Sequence, residues 1–337
     1  MTSTMLADMN VSGDLAALLL DYLADNHLEL QALEQELRQF QPASRMRFRQ
    51  WWRLLQILQE QLPERLVGME LGRAIKPSYV GVLGYLTLSC DTVAEALQRF
   101  QRYQRLLHDG DTAQFEVQGD VACLCWSNEF GLSSQLSDEV LVMGMMTNLR
   151  IMTGIPDLQP SGIHFVSSTP ANTEAYRAFV DCPITFNQPR LELHFPMQYL
   201  TLPVTNSDPA LKQLLERQAE TLLAVLPQQE DFNHRLQQAI LKAIQEGEPT
   251  LEQVAESLAM SRRTLHRRLQ EKNLVFKDLL QQIRLQLARQ YLAERRLTLA
   301  EIALLLGYSE QSAFTRAFRQ WSGTTPLQYQ KRAASSR

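Results

Sequence analysis

Twice between Thr250 and Trp321 the chain sets out a short amphipathic helix, a tight turn and a second helix with a polar outer face, and this recurrence constrains it more than any other feature. In the first unit Thr250 precedes Leu251, Val254, Ala255 and Leu258, with Glu252 and Gln253 in the first turn, the pattern of a capped helix. Ala259, Met260 and Ser261 make the connection, and Ser261 caps a second helix from Arg262 to Lys272. There Leu265 and Leu269 share the inner face, leaving Arg262, Arg263, His266, Arg267 and Gln270 on the outer one. In the second unit Thr298 caps Leu299 to Leu306, Gly307, Tyr308 and Ser309 form the turn, and Glu310 opens a helix to Trp321. Phe314 and Phe318 point inward there, and Gln311, Ser312, Thr315, Arg316 and Arg319 point outward.

A helix carrying such a donor array fits the major groove of B-DNA, where Arg can grip the O6 and N7 edge of guanine and other basic groups hold phosphates. The units are separated by a predicted helix from Phe276 to Glu294, which spans roughly 28 Å at 1.5 Å per residue. Two reading heads so spaced suit successive major grooves on one DNA face. Charge agrees with this reading. Residues 233–337 hold 17 Lys and Arg against 9 Asp and Glu, a net of +8, and residues 1–232 hold 16 against 28, a net of -12. A basic module joined to an acidic one separates a polyanion-binding end from one that stays clear of polyanions.

The stretch Leu251 to Lys331 resembles the DNA-binding domain of the AraC/XylS family of bacterial regulators. The resemblance rests on the Ser261 cap with Leu265-His266-Arg267, on Ile302-Ala303-Leu304-Leu305-Leu306-Gly307-Tyr308-Ser309, on Phe314-Thr315-Arg316-Ala317-Phe318, and on Gly323-Thr324-Thr325-Pro326 before Tyr329. It implies groove contacts by Arg263, His266 and Arg267 from the first unit and by Gln311, Ser312, Thr315 and Arg316 from the second, with Arg262 and Arg319 on the same faces. Asn273 stands where the family often has Gly, and Asn tolerates the left-handed conformation needed there. Gly81-Val82-Leu83-Gly84-Tyr85 leading into Thr92-Val93-Ala94-Glu95-Ala96-Leu97, and Phe186-Asn187 before Leu191 and Phe195, are similar to the long regulatory domain of one branch of the family. That domain implies a small-molecule effector and a homodimer, and the whole implies a transcription regulator, an activator that recruits RNA polymerase to double-stranded promoter DNA.

The expected architecture is an α+β N-terminal domain over 1–200, a connecting helix over 201–232, and an all-α DNA-binding domain over 233–337 with its two helix-turn-helix motifs at 250–272 and 298–321. Within the first part, Asp14 to Leu62 reads as helical, with Leu18, Tyr22, Leu30, Leu33 and Leu37 near helical spacing and Trp51 and Trp52 sealing the bundle. Strands are expected at Val82 to Cys90, Ala113 to Gln118 and Val121 to Ser127, with helices at Thr92 to Leu107 and Ser137 to Thr153. The elements at Ile163 to Ser167, Thr173 to Val180, Pro183 to Phe186 and Leu191 to Phe195 repeat the order strand, helix, strand, strand, which suggests a duplication. A helix from Ala210 to Leu226 leads out, and Asn233 to Gln245 begins the helical C-terminal part.

Other residue patterns are ambiguous. Cys123 and Cys125 fall on one side of a strand, where packing competes with metal binding or redox sensing; no nearby His or second Cys pair completes a ligand set, so no metal and no cofactor is expected. Met143, Met145, Met146 and Met152 fill a core or line an adaptable pocket, and the same choice holds for Tyr85, Trp126 and Phe130. Arg73, Lys76 and Arg190 are either solvated charges or partners for an acidic ligand. There is no phosphate-cradling Gly-rich loop, Gly-x-Ser-x-Gly elbow or His-Glu-x-x-His helix, so no enzyme is expected. An N-terminus without Lys or Arg as far as Asp14, and an apolar run limited to Leu15 to Leu20, fit a cytoplasmic protein with no membrane association. An effector-independent architectural DNA-binding protein is the alternative.

Overall fold

The computed structural model describes residues 5–41, 43–128, 130–226, 229–247, 249–272, 274–294 and 297–335. In chain order the elements are α1 (Met5–Asp8), β1 (Asn10–Ser12), α2 (Leu15–Asp25), α3 (Gln31–Leu37), β2 (Arg45–Arg47), α4 (Phe48–Gln61), α5 (Val67–Arg73), α6 (Gly81–Leu88), α7 (Val93–Tyr103), β3 (Ala113–Gln118), β4 (Val121–Trp126), α8 (Gln135–Thr153), β5 (Gly162–His164), β6 (Ile184–Thr185) and β7 (Leu191–Pro196). Helices α9 (Pro209–Val225), α10 (Gln229–Gln245), α11 (Leu251–Ser257), α12 (Arg262–Glu271), α13 (Phe276–Glu294), α14 (Leu299–Leu305), α15 (Gln311–Ser322) and α16 (Pro326–Ser335) complete it. No helix among the described residues is long and apolar enough to cross a membrane.

The N-terminal part is a helical layer against a five-stranded sheet of order β3-β4-β7-β5-β6, antiparallel except for the β5–β6 pair. Because side chains alternate along a strand, Ala122, Leu124 and Trp126 of β4 and Leu191, Leu193 and Phe195 of β7 turn to the same buried side with Ile163. Helix α8 runs through the centre of this part against α5. The two approach so closely that a Cβ at Gly68 would lie 2.7 Å from Glu139 Cβ, and one at Gly72 would lie 2.5 Å from Met143 Cβ. Only hydrogen at those two positions allows this separation. Trp51 is fully buried and Trp52 half-buried, as the sequence pattern suggested.

Three expectations are corrected. Residues 82–90, expected as a strand, form most of α6, and the capped Thr92 then starts α7, its side chain accepting from Glu95 N. A short unbroken apolar run is compatible with either structure, and here Leu83, Leu86 and Thr87 form a helical face buried against α7, α8 and α9. The duplication falls with that strand, since the first set of elements now opens on a helix, and Thr173 to Val180 contributes only a 3-10 turn at Glu174–Ala178. The basic stretch from Arg45 begins with a strand pairing β2 to β1 before α4 starts, so 14–62 is not continuously helical.

Helix α9 is no free tether. Its Asp208 cap accepts from Ala210 N and Leu211 N, and its largely buried Lys212 reaches Glu95 at 3.0 Å while Glu216 and Glu220 pair with Arg99 and Arg102 of α7. Beyond it the chain is wholly helical among the described residues. The apolar residues of α10 to α12, with Leu279 and Ile283 of α13, pack continuously with the N-terminal core, whereas Ala288 and Leu292 further along α13 join Ile302, Ala303, Leu306, Phe314 and Phe318 in a separate core under the second unit.

Candidate functional site

Both helix-turn-helix units are built by the same local chemistry. Thr250 Oγ1 accepts from Gln253 N at 3.2 Å, and Ser261 Oγ accepts from Thr264 N at 3.1 Å. Thr298 goes further, forming a reciprocal capping box with Glu301. Each turn closes the preceding helix with two bonds: Ala259 N to Glu256 O and Met260 N to Ala255 O in the first, Gly307 N to Leu304 O and Tyr308 N to Ala303 O in the second, all at 2.9 Å. The closure requires a left-handed residue, which is Gly307 (φ 71°) in the second unit and, at a steric cost, Ala259 (φ 55°) in the first. The second turn is one residue longer, so Glu310 rather than Ser309 occupies the cap position.

The outer faces are arranged as the sequence suggested. Leu265, Leu269, Phe314 and Phe318 are buried, while Arg262, Arg263, His266 and Arg267 lie exposed together on α12 and Gln311, Ser312, Arg316 and Arg319 on α15. Thr315 is half-buried. Several of these side chains are held by neighbours: Arg262 pairs with Glu252 at 2.5 Å, Arg267 with Glu271 at 3.5 Å, and Arg316 donates to Ser312 Oγ at 3.3 Å beside Glu310. Exposed pairs of this kind are worth under about 1 kcal/mol, so a polyanion can displace them cheaply. Asn273 lies outside the described residues.

Sequence reasoning missed the residue that ties the second unit to α13. Arg284 donates through Nε to Leu306 O at 2.9 Å and through Nη2 to Gly307 O at 3.2 Å, and stacks on Tyr308 with 4.6 Å from its guanidinium carbon to the ring centroid. It clamps the turn of that unit from the helix that spaces the two. No local pattern marks it, because its partners Leu306, Gly307 and Tyr308 are distant in sequence. Arg268 was likewise passed over; its guanidinium sits 5.4 Å from the ring of Phe232.

The N-terminal part holds a partly open cavity of about 140 Å³ between α2, α4, α6, α8 and β4. Leu15, Trp51, Leu83, Phe100, Trp126 and Met145 supply apolar wall, and Lys76, His108, Asp111, Asp138 and Asn148 supply polar groups. Trp126 Nε1 and both ring nitrogens of His108 are buried with no hydrogen-bond partner among the described residues. Burial pushes the His108 imidazole down to about 4, helped by Arg45, so it is neutral near pH 7. Burial also pushes the Asp138 carboxyl up to about 7, against a hydrogen bond from Ser133 and with help from Glu139. Asp111 accepts from Ser127 Oγ at 2.9 Å. A concave, mostly apolar space with few convergent polar groups and shifted ionisation is the form of a small-molecule site. Of the aromatic and Met candidates, Trp126, Phe130 and Met143 are buried and Met145 lines the cavity, while Tyr85 is exposed. Lys76 lines the cavity; Arg73 instead stacks on Phe179, and Arg190 pairs with Glu116 and Glu192.

Comparison with known proteins agrees with both halves. Residues 28–204 match the arabinose-binding N-terminal domain of AraC transcription regulators, and residues 254–332 match a helix-turn-helix domain. The ornithine utilization regulator of Pseudomonas aeruginosa is 32% identical over 94% of this chain and 95% of its own. The transcriptional regulator VirS of Mycobacterium tuberculosis is 30% identical over 60% of this chain and 58% of its own. The crystal structure of the regulator CdpR from Pseudomonas aeruginosa aligns over 94% of this chain and 97% of its own, at 23% identity and a TM-score of 0.43. With an N-terminal effector-binding domain and a C-terminal pair of helix-turn-helix units, the chain belongs to the AraC-type family of DNA-binding transcription regulators.

Proposed function

We propose that the chain is a cytoplasmic homodimeric activator, not an enzyme, that recruits RNA polymerase when a small molecule fills the cavity of its N-terminal domain. The observation that carries this reading is the mostly apolar cavity with polar groups unpartnered among the described residues, in the same chain as two exposed donor-bearing helices. The proposed DNA contacts are Arg262, Arg263, His266 and Arg267 from α12 and Gln311, Ser312, Thr315, Arg316 and Arg319 from α15, over the span 233–337, with 1–200 binding effector and 201–232 joining the two. A purely architectural role leaves the cavity without purpose.

Two carboxyl groups, Asp111 and Asp138, line a largely apolar space. A bound cation would hold Asp138 ionised, so an amine-bearing effector fits the site, in keeping with the relative named for ornithine utilization. The full chain is screened by thermal shift against ornithine and other diamino acids, with fatty and aromatic acids beside them. A ligand at a hundredfold excess over its dissociation constant adds about 2.7 kcal/mol of stability. The expected hit is a diamine or amino acid whose effect Asp138→Asn removes and which changes affinity for promoter DNA. Indifference of both melting and DNA affinity to every compound would leave the architectural reading in its place.

A further inference from the structure

The face of the sheet turned away from the helical core holds a cluster that the regulator reading does not use. In register, Cys123 of β4 lies opposite His194 of β7, and Glu192 of β7 lies opposite His164 of β5. Because all four positions share one side of the pleat, their side chains converge across three adjacent strands. His164 Nδ1 and His194 Nε2 both lie 2.8 Å from Glu192 Oε2, and the two imidazole centroids are 4.5 Å apart. The ligand atoms of Cys123, Glu192 and His194 all lie within 4.8 Å of one another.

We propose that Cys123, His164, Glu192 and His194 form a site for a single zinc-class divalent ion. One thiolate, two imidazoles and one carboxylate suit a borderline-soft, tetrahedral cation and not calcium or magnesium, which take oxygen ligands. Zinc bonds of about 2.0 to 2.3 Å put tetrahedral ligand atoms about 3.3 to 3.7 Å apart, so Cys123, Glu192 and His194 need only draw together slightly, while His164, bonded to Glu192 but outside that 4.8 Å group, must turn further to complete the set. The support around it is already in place. Arg190 Nε donates to Glu192 Oε1 at 2.6 Å while its other two nitrogens grip Glu116, which leaves Glu192 Oε2 aimed at the histidines. The neighbouring Cys125 thiol also contacts Cys123, but it donates to Gln114 O at 3.5 Å and is not among the three groups that converge. The site has a route to the effector cavity, since Trp126 and Leu191 on the opposite side of the same strands line it.

The test uses the untagged full chain, stripped with chelator and titrated with Co(II) and then Zn(II). The expected result is one Co(II) per chain with a thiolate-to-cobalt charge-transfer band, displaced by Zn(II), and a higher melting temperature with either ion. Cys123→Ser should abolish the band, His194→Gln and His164→Gln should each weaken binding tenfold or more, and Cys125→Ser should leave it intact. Should Cys123→Ser fail to fold by circular dichroism, the two partly exposed histidine variants decide. No bound ion, a bound ion without the thiolate band, or affinity unchanged in both histidine variants overturns the proposal.

Discussion

Removing the carboxylate of Asp138 should expose a pH dependence of stability that the native chain conceals. His108 has its pKa lowered from 6.5 to about 4 by burial and by Arg45, so the unfolded chain binds this proton more readily. Its contribution is complete above pH 6.5 and is lost as pH falls towards 4, at about 1.4 kcal/mol per pH unit and roughly 3 kcal/mol in all. Asp138 runs the other way. Burial raises its pKa from 3.8 to about 7, so the folded chain holds the proton more tightly. Its contribution is complete below pH 3.8 and is lost as pH rises to 7, at the same slope and with a total of roughly 4 kcal/mol. Between pH 4 and 6.5 the two slopes cancel. Asp138→Asn leaves only the His108 slope, so its stability should fall by roughly 3 kcal/mol relative to the native chain as pH drops from 6.5 to 4. His108→Gln leaves only the Asp138 slope and should gain relative stability over that range. Urea unfolding followed by tryptophan fluorescence reads the right region, because Trp51, Trp52 and Trp126 all lie in the N-terminal part. Parallel pH profiles for Asp138→Asn and the native chain from pH 6.5 to 4.5 would refute the reasoning.

Ala259→Gly should raise stability by about 1 kcal/mol by relieving a left-handed alanine, and Gly307→Ala should lower it by more than 1 kcal/mol, since its Cβ would also come 3.3 Å from Arg284 Nη2; calorimetric melting checks both. Arg284→Ala should lower the melting temperature of the second unit and weaken DNA binding, because it removes two hydrogen bonds from a charged donor worth about 1.5 to 3 kcal/mol each; chymotrypsin sensitivity at Tyr308 and gel shift read the two effects. Arg267→Ala and Arg316→Ala should damage different half-elements of one operator, each by about 1 to 3 kcal/mol where a guanine edge is read; an affinity loss equal on all sequences would assign that Arg to phosphate contact.

The C-terminal units were legible because everything that defines them is local. Thr250, Ser261 and Thr298 cap within three residues of their partners, and Leu265 with Leu269 or Phe314 with Phe318 state the buried face within one turn. The cavity was not legible, because Leu15, Trp51, Leu83, Trp126 and Asp138 come from five elements and meet only once the helices are packed on the sheet. The misread α6 has the same origin: residues 81–88 carry no strong periodicity, and only burial against α7, α8 and α9 selects the helix. The separation of Cys123 from His194 was likewise read along the chain, whereas strand register makes them direct neighbours.

The two helices proposed to read DNA differ in charge, and on that proposal the difference divides their work. Helix α12 carries Arg262, Arg263, Arg267 and Arg268, whereas α15 carries Arg316 and Arg319 among neutral Gln311, Ser312 and Thr315. Each phosphate neutralised adds about -0.9 to the slope of log affinity against log salt, so the first unit has the larger capacity for sequence-independent grip. Amide and hydroxyl groups add little to that slope but discriminate base edges by hydrogen bonding. The first helix is nonetheless held in check, since Glu252 beside Arg262 and Glu271 beside Arg267 repel the same phosphates that the arginines attract. Unpaired, four arginines on one helix would bind any duplex and give an effector little to control. In the proposed reading the two carboxylates lower that basal affinity, so that a modest effector-driven preference for one dimer geometry can decide occupancy of an operator.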